Sequence, residues 1–203
     1  MGGMIEVVDD DEAIRDALAF LFASRGLAAR AWPSGEAFLG AQPLDGSACI
    51  ILDVRMGALT GPEVFERLRA AGSLVPVIFL TGHADVPVAV RTLKAGAFDF
   101  LEKPFNDNQI VDLALRAIAS HREAEAGAAL RRDLAARRAT LSPREEEVMA
   151  LILSGALNKQ IADTLNIAMR TVEVHRGRVL SKMGARNGIE LAAMLAGEGR
   201  EAG

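Results

Sequence analysis

The first 120 residues alternate short apolar runs of β type with stretches of helical period, five of each in strict succession. Strands joined through crossover helices lie parallel in one sheet, and right-handed crossovers place those helices on its two faces. The runs fall at 5–8, 28–32, 48–52, 77–80 and 98–101. Between them, Ile14, Leu18, Leu21 and Phe22 form an apolar stripe that Gly26 can end. Ser34 can cap a helix carrying Phe38 and Leu39. Pro62 suits the first turn of a helix bearing Val64, Phe65 and Leu68, closed by Gly72. Helices at 86–93 and 110–118 complete the set. The expected architecture is an α/β doubly wound five-stranded parallel sheet.

Past residue 140 the strand signal stops. Ser142-Pro143-Arg144-Glu145 reads as a capped helix start, with Val148, Leu151, Ile152 and Leu153 as its apolar side and Gly155 as its end. Asn158 can cap a second short helix at 159–165. A third runs from Met169 to about Met183 and stops at Gly184, and Asn187 caps a fourth carrying Leu191, Met194 and Leu195. Four short helices in some 60 residues suit an all-α helix-turn-helix domain. Residues 121–139 are rich in Ala, Arg and Glu with few large apolar side chains, which favours a helical linker. The expected division is therefore 1–120, 121–139 and 140–203.

Charge is uneven along the chain. Residues 1–120 hold 10 Lys and Arg against 16 Asp and Glu, while residues 140–203 hold 8 of each. No part is basic enough to bind nucleic acid by bulk charge, so any DNA contact must come from a local cluster. The one cysteine, Cys49, falls inside an apolar run, which excludes a disulfide framework and suits a buried thiol. No apolar run approaches the ~18–20 residues that span a bilayer. Met1-Gly2-Gly3-Met4 is no secretion signal. A cytoplasmic protein without a membrane partner is expected. His83, His121 and His175 lack metal-ligand spacing, so no zinc site is expected.

The ends of the apolar runs carry the chemistry. Asp9-Asp10 follows the first, Asp53 the third, Thr81 the fourth and Lys103-Pro104 the fifth. In a parallel sheet, residues just past the strands' carboxyl ends line one crevice where ligands bind. Carboxylates converging there repel one another unless a cation joins them. Mg²⁺ suits the set, because it takes one or two protein carboxylates and bridges to phosphate oxygen. Asp53 is then the candidate nucleophile, becoming an aspartyl-phosphate. Asp9 and Asp10 are candidate metal holders, directly or through water. Lys103 pairs with Asp53 or the phosphoryl, and Thr81 offers it a hydroxyl.

These residues, with 28 positions from Asp53 to Thr81 and 22 from Thr81 to Lys103, resemble the receiver domain of bacterial two-component response regulators, a flavodoxin-like fold, over roughly residues 3–120. The resemblance implies phosphorylation of Asp53 by a sensor histidine kinase, with Mg²⁺ bound by Asp10, Asp53 and the backbone carbonyl of Arg55. It also implies a cis Lys103-Pro104 bond and a switch in which Thr81 moves to the phosphoryl and Phe100 rotates inward. Gly57 departs from the pattern, standing where the family usually has Pro.

On the helix from Met169, a period of 3.6 puts Val172, Val179, Leu180 and Met183 on one side. Arg170, Glu173, Val174, Gly177, Arg178 and Ser181 fall on the other. That second face could enter a major groove, where Arg170 and Arg178 reach guanine edges or phosphates, Glu173 accepts from cytosine and Val174 touches a thymine methyl. Gly177 allows close approach, Arg176 can snorkel toward a phosphate, and Lys159 and Lys182 are further phosphate candidates. Leu141-Ser-Pro-Arg-Glu, Asn158-Lys-Gln-Ile-Ala, Thr171-Val-Glu-Val-His-Arg and Lys182-Met-Gly-Ala-Arg together resemble the LuxR-type helix-turn-helix over 140–197. Ala168 departs from it, where the family prefers a Ser cap.

With both domains the chain resembles a FixJ/NarL-type response regulator. The resemblance implies a transcription regulator, not an enzyme, that forms a homodimer on phosphorylation, binds double-stranded promoter DNA and works with RNA polymerase. Two other classes stay open. An aspartyl-phosphate phosphatase would need a second Asp two residues after the nucleophile, where this chain has Arg55. The other is a phosphorelay or protein-binding receiver that does not act through DNA.

Overall fold

Apolar runs at the five expected places pair as one sheet. The computed structural model describes residues 3–41, 46–82 and 86–196. Strands β1 (Met4–Val8), β2 (Ala29–Trp32), β3 (Ser47–Asp53), β4 (Val77–Thr81) and β5 (Asp99–Glu102) stand in the order β2-β1-β3-β4-β5, every neighbouring pair parallel. The third run is longer than expected at both ends, so Asp53 is the last residue of β3, paired with Leu80. The fifth is displaced by one: Phe98 lies outside β5, its N–H bonded to the Val77 carbonyl at 2.8 Å.

Alternation along the strands feeds two cores. Ile5, Val7, Cys49, Ile51, Ile78 and Leu80 pack with Leu18 and Phe22 of α1 (Glu12–Ser24) and with Ile110, Ala114 and Ala117 of α5 (Asp107–Arg138). Val8, Ile50, Leu52, Val77 and Phe79 pack on the other face. They meet Phe38 of α2 (Gly35–Gly40), Val64, Phe65 and Leu68 of α3 (Gly61–Ala70) and Leu93 of α4 (Val86–Lys94). Burial on both faces explains why the inner strands β1, β3 and β4 are apolar nearly throughout. It also pushes the Cys49 thiol well above its ordinary pKa. Glu6 is the exception, a fully buried carboxylate in β1. Burial works against its charge, but Arg30, Ser47 and Trp32 donate to it at 2.6–3.0 Å and hold its pKa below the usual value.

Helix starts follow their side chains. The Ala37 N–H donates to Ser34 Oγ, and the Glu63 carboxylate accepts from the N–H and hydroxyl of Thr60. Two compact units are present, Met1–Glu125 and Ala126–Gly203, and the division falls inside α5. The expected linker is thus the continuation of that helix. In the second unit, α6 (Pro143–Leu153), α7 (Asn158–Leu165), α8 (Met169–Met183) and α9 (Gly188–Ala196) surround Val148, Ile152, Ile161, Val172, Val179, Met183 and Leu191. Leu134 of α5 belongs to the same core.

Ser142 and Glu145 form a full capping box at the start of α6, and Asn187 accepts from the Glu190 N–H at 2.9 Å. Asn158 does not cap α7. It is the helix's first residue, and Gln160 reaches back to the Leu157 N–H at 2.8 Å instead. At α8 the cap residue is Ala168, already extended (φ −67, ψ 144) but with no side chain to accept a bond. Ala168→Ser should therefore stabilise the second unit by ~1 kcal/mol, a rise of several degrees in its thermal midpoint. An unchanged melting curve would show that the cap geometry is not available to the hydroxyl.

Candidate functional site

The carboxyl ends of β1, β3, β4 and β5 bring Asp9, Asp53, Thr81 and Lys103 together. Lys103 Nζ donates to Asp9 Oδ2 at 2.7 Å and to Asp53 Oδ1 at 2.6 Å. The other oxygens are held by backbone: Asp9 Oδ1 accepts from the Asp11 N–H (2.9 Å) and Asp53 Oδ2 from the Arg55 N–H (2.7 Å). Asp9 is 1% exposed and Asp53 7%. One ammonium thus serves two buried carboxylates. Burial, with Asp9 adding to it, keeps the Asp53 carboxyl above its ordinary pKa despite Lys103. Burial pulls the Lys103 ammonium down, but its bonds to Asp53 and Asp9 prevail and raise it. The Lys103-Pro104 peptide bond is cis.

Asp10, next to the buried Asp9, is exposed. Among the described residues no three His, Cys, Asp or Glu side chains gather as a ready-made metal set. The donors nonetheless suit a hard divalent cation: two fixed carboxylates, a third at the rim, and an ammonium now supplying the charge balance. Thr81 supplies a second sign of an anionic visitor, since its Oγ1 is wholly buried and meets no hydrogen-bond partner. A buried hydroxyl left alone is costly, and such groups cluster where a ligand completes them. Phe100 is half-buried, packed on the side of Phe79, Val88 and Leu93.

Two supporting residues, Arg15 and Gly61, were not among those expected. Arg15 of α1 donates to the Asp9 carbonyl at 2.8 Å, anchoring the acidic loop. Gly61 starts α3 directly above the acceptor strand, where a Cβ would lie 2.2 Å from the Asp53 carbonyl oxygen. Its place between Thr60 and Pro62, at a helix start, was the available signal. Gly57 differs: a Cβ there would meet nothing within 4 Å, so its absence costs chain stiffness rather than space. Arg55, in the place of the phosphatase acid, offers its N–H to Asp53.

In the second unit α8 divides as its period requires. Val172, Val179 and Met183 are buried, while Arg170, Thr171, Glu173, Val174, Gly177 and Arg178 are exposed. Arg176 is half-buried and its Nη1 lies 3.4 Å from Asn158 Oδ1, as its position near the packed side suggests. Lys159 is exposed on α7. Lys182, its side chain 37% exposed, donates to Glu145 at 2.7 Å and to the Thr140 carbonyl at 2.8 Å. Lys182 holds the Glu145 carboxyl down to about 2. His121 and His175 stand in separate units and share no site; His83 lies outside the described residues.

A parallel sheet with this acidic rim, followed by a helix-turn-helix unit, defines a signalling regulator of two domains. Family models agree in both halves: the response regulator receiver domain matches residues 5–115, and bacterial regulatory proteins of the luxR family match 139–195. The chain belongs to the two-component response regulators with a receiver and a LuxR-type DNA-binding domain. It is 61% identical to the C4-dicarboxylate transport transcriptional regulatory protein DctR of Rhodobacter capsulatus, over 96% of this chain and 100% of that one. It is 44% identical to the transcriptional regulatory protein FixJ of Bradyrhizobium diazoefficiens, over 96% of each. Among solved structures, the response regulator StyR matches with a TM-score of 0.87 at 33% identity, covering 97% of this chain and 99% of that one. Full-length FixJ from B. japonicum matches with 0.63 at 43%, over 97% of each. Both relatives are named as transcriptional regulatory proteins, and among the described residues no helix is long and apolar enough to cross a membrane.

Proposed function

We propose that this chain takes a phosphoryl group on Asp53 from the phosphohistidine of a sensor kinase and then regulates transcription from promoter DNA. The observation that carries this reading is the meeting of Asp9, Asp53 and Lys103 beside the unpartnered Thr81 hydroxyl. A carboxylate oxygen of Asp53 attacks phosphorus, the P–N bond to the kinase imidazole breaks, and the imidazole leaves. Lys103 balances charge on Asp53 and the incoming oxygens, and Thr81 turns its hydroxyl onto one of them, with Phe100 following inward. Asp9, Asp10, Asp53 and the Arg55 carbonyl would hold Mg²⁺, which supplies positive charge for the phosphoryl oxygens. Asp53, Thr81 and Lys103 thus do the phosphoryl chemistry without making the chain a turnover enzyme.

Phosphorylation then favours a homodimer, which places two copies of α8 on paired half-sites and adds avidity to a module of no net charge. Arg170, Thr171, Glu173, Val174, Arg176, Gly177, Arg178 and Lys182 of α8, with Lys159 of α7, are the proposed DNA contacts, and RNA polymerase is the expected downstream partner. The protein acts in the cytoplasm, with receiver, linker and DNA-binding parts at about 1–120, 121–139 and 140–203. The name of the 61% identical relative makes promoters of C4-dicarboxylate transport genes the first panel to try. Gel shifts with that panel, before and after phosphorylation, are expected to show at least one fragment bound more tightly by the phosphorylated chain. Phosphorylation without any gain in DNA binding would favour a receiver acting through protein partners.

A further inference from the structure

The carbonyls in the last turn of a helix have no partner within it, and the partial negative charge they share attracts cations. At the end of α8, Gly184 turns left-handed (φ 74) and the Met183 carbonyl is left over. Nη1 of Arg137, from the last turn of α5, donates to that carbonyl at 2.9 Å. Asp133, one turn earlier in α5, holds the other side of the same guanidinium at 2.9 Å. The fit is close: a Cβ on Gly184 would fall 2.1 Å from Arg137 Nη1. Lys182, in the same last turn of α8, ties back to the Thr140 carbonyl and Glu145. Leu134, 2% exposed, packs in one core with Val179 and Met183.

Resting on the proposal that α8 reads DNA, we infer that Arg137 is a positioning residue for DNA recognition and that the DNA-reading unit begins within α5, at or before Leu134. The base-reading side chains sit on a helix whose placement must hold to a fraction of an ångström for bidentate contacts to form. The core fixes one side of α8. Arg137 fixes where its last turn ends, so the Gly177 backbone and the Arg178 side chain keep their depth in the groove. Its guanidinium is engaged on both sides within the protein, which separates this role from a phosphate contact.

The test uses the full chain, phosphorylated, and a duplex selected by repeated binding to the wild type, alongside a scrambled duplex of equal length. Arg137→Gln is expected to keep acyl-phosphate labelling and lose about fivefold in affinity for the selected duplex while changing little on the scrambled one. Amide exchange at 180–185 should quicken. Arg137→Lys, which returns a cation to the helix end, should recover most of the loss. Gly184→Ala, which both strains the left-handed turn (φ 74) and crowds the guanidinium, should reproduce it. An unchanged ratio between the two duplexes in both Arg137→Gln and Gly184→Ala overturns the inference, as does equal weakening on both, which marks a plain phosphate contact. If the wild type selects no duplex at all, the DNA-binding reading itself fails, whatever the variants do.

Discussion

Asp53→Asn will fold yet take up no label from a phosphodonor, a loss on the order of 100-fold or more, and its DNA affinity will no longer rise on phosphodonor treatment. The amide has the shape of the carboxylate and keeps an oxygen for the Arg55 N–H, so the loop after β3 stays in place. Only the nucleophilic oxygen pair is gone. The other acids do not replace it, because Asp9 is buried with both oxygens engaged and Asp10 is exposed to solvent. The substitution also removes one of two like charges that share a single ammonium. Thermal stability should therefore hold or rise slightly, which separates lost chemistry from lost structure. Alkali-labile phosphate retained on the variant would move the acceptor elsewhere and sink the site assignment.

The pocket was readable because its parts end apolar runs, and a parallel sheet gathers such ends by topology alone. What the sequence hid was how the charges are shared. Nothing in the spacing says that Lys103 would bond Asp9 as closely as Asp53, or that Arg15 would anchor the Asp9 carbonyl. Strand limits slipped by a residue because pairing with a neighbour, not apolarity, decides where a strand ends. Asp53 counts as strand because it lies opposite Leu80. The linker shows the other failure. Leu134 is one of only two large apolar side chains in the linker, with the exposed Leu130, too sparse for a periodic stripe, yet it sits in the second core. Lys182 and Glu145 are 37 positions apart, so their pairing is a property of the folded unit. Asn158 looked like a cap by residue type, whereas Gln160 reaching back to Leu157 set the start of α7.

Lys103→Met should cost about 3 kcal/mol at neutral pH, since it removes the ammonium to which both buried carboxylates are bonded. Lys103 is 24% exposed and its partners 1% and 10%, so solvent screens little of this loss. The dependence on pH follows from the raised pKa of Asp53, which removal of the ammonium can only raise further. A carboxyl with a raised pKa binds its proton more tightly folded than unfolded. Its contribution is therefore fully present below the unfolded value and lost as pH rises through the folded one. The variant should be closest to wild type near pH 4 and fall away toward pH 7, as followed by urea unfolding. Adding Asp9→Asn should return much of the loss, because the remaining acid then stands alone, a coupling that a double-mutant cycle measures directly. Added Mg²⁺ should raise the melting point of Lys103→Met more than that of the wild type, for the dication restores charge that the wild type already has. A variant as stable as wild type at pH 7, and indifferent to both Asp9 and Mg²⁺, would mean that the rim of the sheet is not held by electrostatics.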